Sequence, residues 1–231
     1  MREPATSGGP NRHRDEAKRY SPYEFRNTQS KRGRRDRLTS SSCSSSFESE
    51  MEEGPNCVKV SKASDVKKVA GRIAHSMRRD ELPVVLSTGA SSVNQAVKAA
   101  AIARKYLSED DIGLAIQPAV RHGRKCSVAF QLRRSRHRKP FKHEVELTLS
   151  ASSTPTTVAG ALAARVREGV PTCLTGIGVD AIAAGVMAIS AAREYLEGDY
   201  IDIKTCPEFI HVEKDGTSLS AMRFNILVED L

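Results

Sequence analysis

The chain has no tryptophan, its aromatic residues amount to 5%, and no apolar run approaches the roughly twenty residues that a membrane span requires. A spanning helix is therefore not expected. Neither is a row of aromatic rings on which unstacked bases would sit. Five cysteines (Cys43, Cys57, Cys126, Cys173, Cys206) form an odd set with no C-x-x-C spacing and no Cys/His ligand cluster. That pattern argues against a disulfide framework or a structural zinc and for a reducing compartment; no cofactor is expected. The N-terminus lacks the apolar stretch of a secretory signal. Residues 1–46 are rich in Arg and Ser, but Glu3, Asp15, Glu16, Glu24 and Asp36 are more acid than an organelle transit peptide usually carries. The expected location is intracellular, in cytoplasm or nucleus, with an organelle not excluded by composition.

Residues 1–56 have almost no aliphatic side chains and no sustained periodicity, which predicts a disordered tail. It holds a basic cluster from Lys31 to Arg37, a serine tract from Ser40 to Ser46 and an acidic patch of Glu48, Glu50, Glu52 and Glu53. Such a tail suits a solvated linker, a nuclear address or an auxiliary nucleic-acid arm, and phosphorylation of its serines would cancel the basic charge.

What the rest contains is a duplication. Val69-Ala70-Gly71 recurs 89 positions on as Val158-Ala159-Gly160, Gly89 as Gly178, Ala103-Arg104 as Ala192-Arg193, Tyr106-Leu107 as Tyr195-Leu196 and Pro118 as Pro207. A period that long, seen twice, means one domain built twice and not a solenoid. The copies differ in charge. Residues 57–142 carry 19 Lys and Arg against 6 Asp and Glu, whereas 143–231 carry 6 against 13. Only the first copy has the balance of a partner for a polyanion. The expected organisation is a tail (1–56), a basic domain (57–132), a basic linker (133–142) and an acidic domain (143–231).

Val58 and Val60 read as a short strand. Ser64-Asp65 then caps a helix whose apolar residues fall at Val66, Val69, Ala70, Ile73, Ala74 and Met77, one helical stripe. Pro83 to Ser87 reads as a buried strand ended by Gly89, and a small-residue helix follows from Ser91 or Ser92 to about Leu107. Ile112 to Val120 and Ser127 to Leu132 read as two strands joined by a polar turn. The second copy repeats the order, its first helix opening with Thr154-Pro155. Each unit is therefore β-α-β-α-β-β, an α/β (α+β) sandwich of two helices on a four-stranded mixed sheet.

The run Gly89-Ala90-Ser91-Ser92-Val93-Asn94-Gln95-Ala96-Val97-Lys98, continued through Ala99-Ala100-Ala101-Ile102-Ala103-Arg104, resembles the signature helix of the stage V sporulation protein S family. Val69-Ala70-Gly71 matches that family's first helix. Copy two resembles it through Val158 to Ala163 and through Asp215-Gly216, Ser220 to Arg223 and Val228-Glu229. The resemblance implies an Alba-like fold in both copies and, with it, binding of DNA or RNA. In Alba-like domains the first strand-helix loop, the start of the second helix and the last hairpin approach the duplex. The positions carried over are Lys62, Asn94, Gln95, Lys98, Arg124 and Lys125, although copy one's hairpin is shorter than copy two's.

The residues themselves point the same way. Asn94, Lys98, Ala101 and Lys105 fall at helical spacing, with Gln95 beside them, on a helix whose free N-terminus is suited to phosphate. The matching residues of copy two are Ala183, Met187, Ser190 and Glu194, with Ala184 for Gln95. Lys62, Lys67 and Lys68 contrast with Ala151, Thr156 and Thr157. Arg121, Arg124 and Lys125 contrast with Glu213, Lys214 and Asp215. The linker adds Arg133, Arg134, Arg136, Arg138, Lys139 and Lys142, again candidates for phosphate contact. Copy two's small-residue helix face (Ala183, Ala184, Met187, Ala191) is a candidate surface for packing on copy one as an internal pseudo-dimer; a homodimer is the other possibility.

Enzyme readings have little support. Thr175 to Ala181 fits G-x-G-x-x-A, but the first copy has Ser87 in place of Gly176, and no ribose-binding acid ends the next strand. His75, His122, His137, His143 and His211 share no pattern with a nucleophile or carboxylate. A nucleic-acid-binding protein is expected, with a protein-binding regulatory adaptor as the alternative.

Overall fold

Residues 57–121, 127–136, 140–214 and 216–230 are described by a computed structural model, and all belong to one compact unit. The expected tail lies outside them. Copy one comprises β1 (Cys57–Val60), α1 (Val66–Arg78), β2 (Val84–Thr88), α2 (Ala90–Ser108), β3 (Gly113–Val120) and β4 (Ser127–Ser135). Copy two comprises β5 (Val145–Leu149), α3 (Pro155–Arg167), β6 (Thr172–Gly176), α4 (Val179–Leu196), β7 (Ile201–Lys214) and β8 (Thr217–Asp230). The order β-α-β-α-β-β therefore occurs twice, in a mixed α/β architecture. Asp65 caps α1 by accepting from the amides of Lys67 and Lys68 at 2.9 and 3.2 Å. α2 and α4 each follow a glycine at positive φ, Gly89 (+88°) and Gly178 (+94°), a conformation that β-carbons disfavour.

The copies share one eight-stranded sheet, in the order β1-β2-β4-β3-β7-β8-β6-β5. β3 meets β7 antiparallel at the pair Ile116–Thr205. These residues are equivalent in the duplication, so a two-fold relation between the copies passes through that pair. As such a relation requires, junction contacts come in reciprocal sets. Arg104 Nη1 donates to the Pro207 carbonyl at 2.7 Å, and Arg193 Nη1 to the Pro118 carbonyl at 2.9 Å. Within the copies, Arg78 pairs with Asp110 as Arg167 does with Asp199. All four helices bury their apolar residues against one face of the sheet, and the core runs unbroken across both copies from Val58 through Ile116 and Ile203 to Phe224.

The two-fold relation fails at Gly113 and its equivalent Asp202. A β-carbon on Gly113 would lie 1.9 Å from the Ser135 carbonyl oxygen, so no side chain fits there. Asp202 instead accepts from Arg193 Nε at 2.7 Å and from Gln117 Nε2 at 2.9 Å, tying the copies together. Burial opposes charge on the Asp202 carboxylate, but the Arg193 hydrogen bonds and charge outweigh it and hold the group below its ordinary 3.8. Its stabilising contribution is therefore complete above that value and is lost as pH falls through the depressed one. Asp202→Asn should cost more stability at pH 7 than at pH 3, read from urea titrations at the two pH values. An equal cost at both would mean that the carboxylate charge carries nothing.

The face away from the helices is crossed by the segment joining the copies. From the end of β4 to the start of β5 the chain passes β3, β7, β8 and β6, five strand spacings or about 24 Å laterally. The described residues 140–144, which lead into β5, form a strap on that face. Phe141 marks its path, packing on Ala115, Cys206 and Leu227 with the Arg104 guanidinium 5.2 Å from its ring centre. No helix among the described residues is long and apolar enough to cross a membrane.

Candidate nucleic-acid interface

β1 and β2 run parallel, β4 runs against β2, and β3 against β4. This puts the β1–α1 turn, the start of α2 and the β3–β4 turn at one end of copy one, the upper end. Lys62, Lys67, Gln95, Lys98 and Arg121 sit there. Lys62 and Lys67 are exposed, and Gln95, Lys98 and Arg121 half-buried. Gln95 Nε2 donates to the Lys62 carbonyl at 3.4 Å, which fixes the turn against the helix. The Arg121 amide closes the hairpin on the Ser127 carbonyl at 2.8 Å. Arg124 and Lys125 fall outside the described residues.

The helix face expected from sequence is rotated. Asn94 is 6% exposed and Ala101 3%, because α2 is enclosed by α1, α4 and the sheet. The outward stripe of α2 is instead Ser91, Gln95, Lys98, Ile102 and Tyr106. Asn94 is thus a buried amide whose Oδ1 has no partner, not a surface contact. In copy two the corresponding stripe is Asp180, Ala184, Met187, Ala191 and Tyr195, so Lys98 answers to Met187 on an outward surface in both. Of the apolar face expected to pack on copy one, only Ala183 is buried, while Ala184, Met187 and Ala191 are partly exposed. At the junction Ser190 Oγ of α4 accepts from the Val120 amide at 3.0 Å.

Lys105, Arg134 and Arg136 lie at the opposite, lower end. β4 continues to Ser135, beyond the expected end at Leu132, so Arg133 and Arg134 are strand residues. Arg134 is occupied by Asp80 at 2.8 Å and by the Met77 carbonyl at 3.0 Å. Arg133 Nη2 bonds Gln131 Oε1 at 2.8 Å. Lys105 stands 5.7 Å from the ring centre of Phe209. With Arg136 it borders a cleft of about 860 Å³ that also exposes Asp111 and Glu208, a mixed-charge surface poorly suited to phosphate. Arg138 and Lys139 fall outside the described residues.

A third constellation escaped the sequence. His143, Glu146 and Cys173 bring one donor atom each within 4.8 Å of one another. Glu146 is the register partner of Cys173 in the parallel β5–β6 pair, and His143 is delivered by the end of the strap. Both β-strand residues lie on the face away from the helices, next to Thr175, Arg223 and Asn225. His143 Nδ1, Arg223 Nε and Asn225 Oδ1 are buried without a hydrogen-bond partner. The Thr175 hydroxyl beside Glu146, with Arg223 and His143, holds its carboxyl below the ordinary 4.5 against the effect of burial. Burial, and then the Glu146 charge, push the Cys173 thiol up to about 11. Spacing alone hid the group, since its donors meet only once the β5–β6 register is known.

The G-x-G-x-x-A segment has a packing role. A β-carbon on Gly176 would lie 3.1 Å from Leu149 Cβ and 3.3 Å from Ala181 Cβ, so that glycine admits a close strand-helix approach. Residues 56–125 and 145–229 each match the family model described as Stage V sporulation protein S.

Proposed function

The chain belongs to the stage V sporulation protein S family, and we propose that it binds DNA or RNA, chiefly through phosphate contacts made by copy one, with copy two as its built-in partner. The observation that carries this reading is the convergence of three separate segments at the upper end. Lys62 and Lys67 from the first turn, Gln95 and Lys98 from the outward stripe, and Arg121 from the hairpin share that end. Copy two offers Ala151, Thr156, Ala184 and Met187 at the matching positions. The start of α2, which has no side-chain cap, adds backbone amides to the same surface. The element order of both copies supports the Alba-like reading. The scarcity of aromatic side chains favours backbone contacts over base stacking.

The test is fluorescence anisotropy of the whole chain on duplex DNA, duplex RNA and single strands across a salt series. With about four to six phosphates engaged, log affinity on duplex DNA should fall with log salt at a slope near −4 to −5. Absence of binding at physiological salt would instead favour a protein-binding adaptor.

A further inference from the structure

The geometry points to a zinc site formed by His143, Glu146 and Cys173, in which a Zn²⁺ ion clips the end of the basic strap to copy two's sheet. The three side chains supply an imidazole, a carboxylate and a thiolate, the donor set that zinc takes. Magnesium and calcium prefer oxygen alone. Three protein ligands leave a fourth tetrahedral position for water.

The donor atoms lie within 4.8 Å of one another, and the edges of a tetrahedral zinc site measure about 3.3–3.6 Å from ordinary Zn–N, Zn–O and Zn–S bond lengths. The gap, at most about 1.2–1.5 Å, falls to side-chain rotation. Cys173 is fixed and fully buried, whereas Glu146 is exposed and His143 half-exposed, so the last two can turn toward it. The second observation is independent of donor spacing: His143 Nδ1 and Asn225 Oδ1 are buried without partners at this patch, a costly state that a ligand or its bound water relieves. Arg223 does not oppose the ion. Thiolate and carboxylate neutralise the dication, and Arg223 Nη2, 3.5 Å from Glu146 Oε1, is positioned to orient the carboxylate from outside the coordination sphere.

The whole chain, stripped of metal, is titrated with Zn²⁺ against a chromogenic chelator and separately with Co²⁺, whose spectrum reports thiolate ligation. One equivalent of zinc bound at micromolar affinity or tighter is expected, with a thiolate-to-cobalt charge-transfer band. Cys173→Ser should abolish that band, Cys57→Ser and Cys206→Ser should leave it, and His143→Ala should weaken zinc at least 100-fold. Glu146→Gln alters an exposed residue and serves where a buried substitution disturbs folding; it should weaken zinc at least tenfold with an unchanged metal-free melting temperature. No stoichiometric zinc, a band that survives in folded Cys173→Ser, or unchanged affinity in both His143→Ala and Glu146→Gln would overturn the site.

Discussion

Replacing Lys62, Lys67 and Lys98 together, as Lys62→Gln, Lys67→Gln and Lys98→Met, should weaken binding to duplex DNA about 100-fold at 0.15 M salt. Each phosphate contact contributes about 0.9 to the salt slope, which at that concentration is about 1 kcal/mol of counterion release. Losing three should take a slope near −4 to −5 to about −2. The loss should be similar across sequences, because phosphate contacts carry no base information. Folding should be little affected. Lys62 and Lys67 are exposed, Met is a good helix former, and copy two already carries Met187 at the position of Lys98. The matched control is Lys105→Gln with Arg136→Gln at the lower end, where Glu208 and Asp111 share the surface; affinity there should change less than threefold. A triple variant that melts like the parent and binds with the parent's affinity and slope would remove the upper end from consideration.

The features legible in the sequence and those hidden in it differ for physical reasons. α1 was readable because it is amphipathic, with Ala70, Ile73, Ala74 and Met77 buried and lysines outside. α2 was readable as a helix but not in its orientation. Ala96, Ala99, Ala100, Ala101 and Ala103 are all buried, so small residues surround most of the helix and give no contrast between faces. In that setting Asn94 resembles a surface residue. It is buried all the same, on a helix that packs against α1, α4 and the sheet.

The strand position of Arg134 was hidden for a related reason. A cluster of arginines after an apolar strand looks like a solvated linker, yet β4 continues through it to pair Ser135 with Gly113, and Asp80, 54 residues earlier, takes up the Arg134 charge. The strap depends on β5 being the far edge of a sheet whose third strand is β4, and the His143–Glu146–Cys173 group on the β5–β6 register. No local pattern carries that information, since strand order is decided by the junction of β3 with β7.

That junction has its own large consequence, carried by Phe130 and Phe224. They are equivalent residues on the last strand of each copy, opposite Pro118 and Pro207, and are 2% and 0% exposed. Both belong to the one core that spans the copies, with α4 so close over Phe224 that a β-carbon on Gly185 would lie 3.3 Å from its ring. Truncating either to Ala should cost about 3–5 kcal/mol. For a folded region of this size that corresponds to a fall in melting temperature of roughly 6–20 °C. Because the core and the sheet are continuous, calorimetry should show a single transition that moves as a whole in both variants, although one substitution lies in the basic copy and the other in the acidic copy. Two separate transitions, of which Phe224→Ala shifts only one, would mean that the copies unfold independently. In that case the reciprocal contacts of Arg104 and Arg193 contribute too little to couple them.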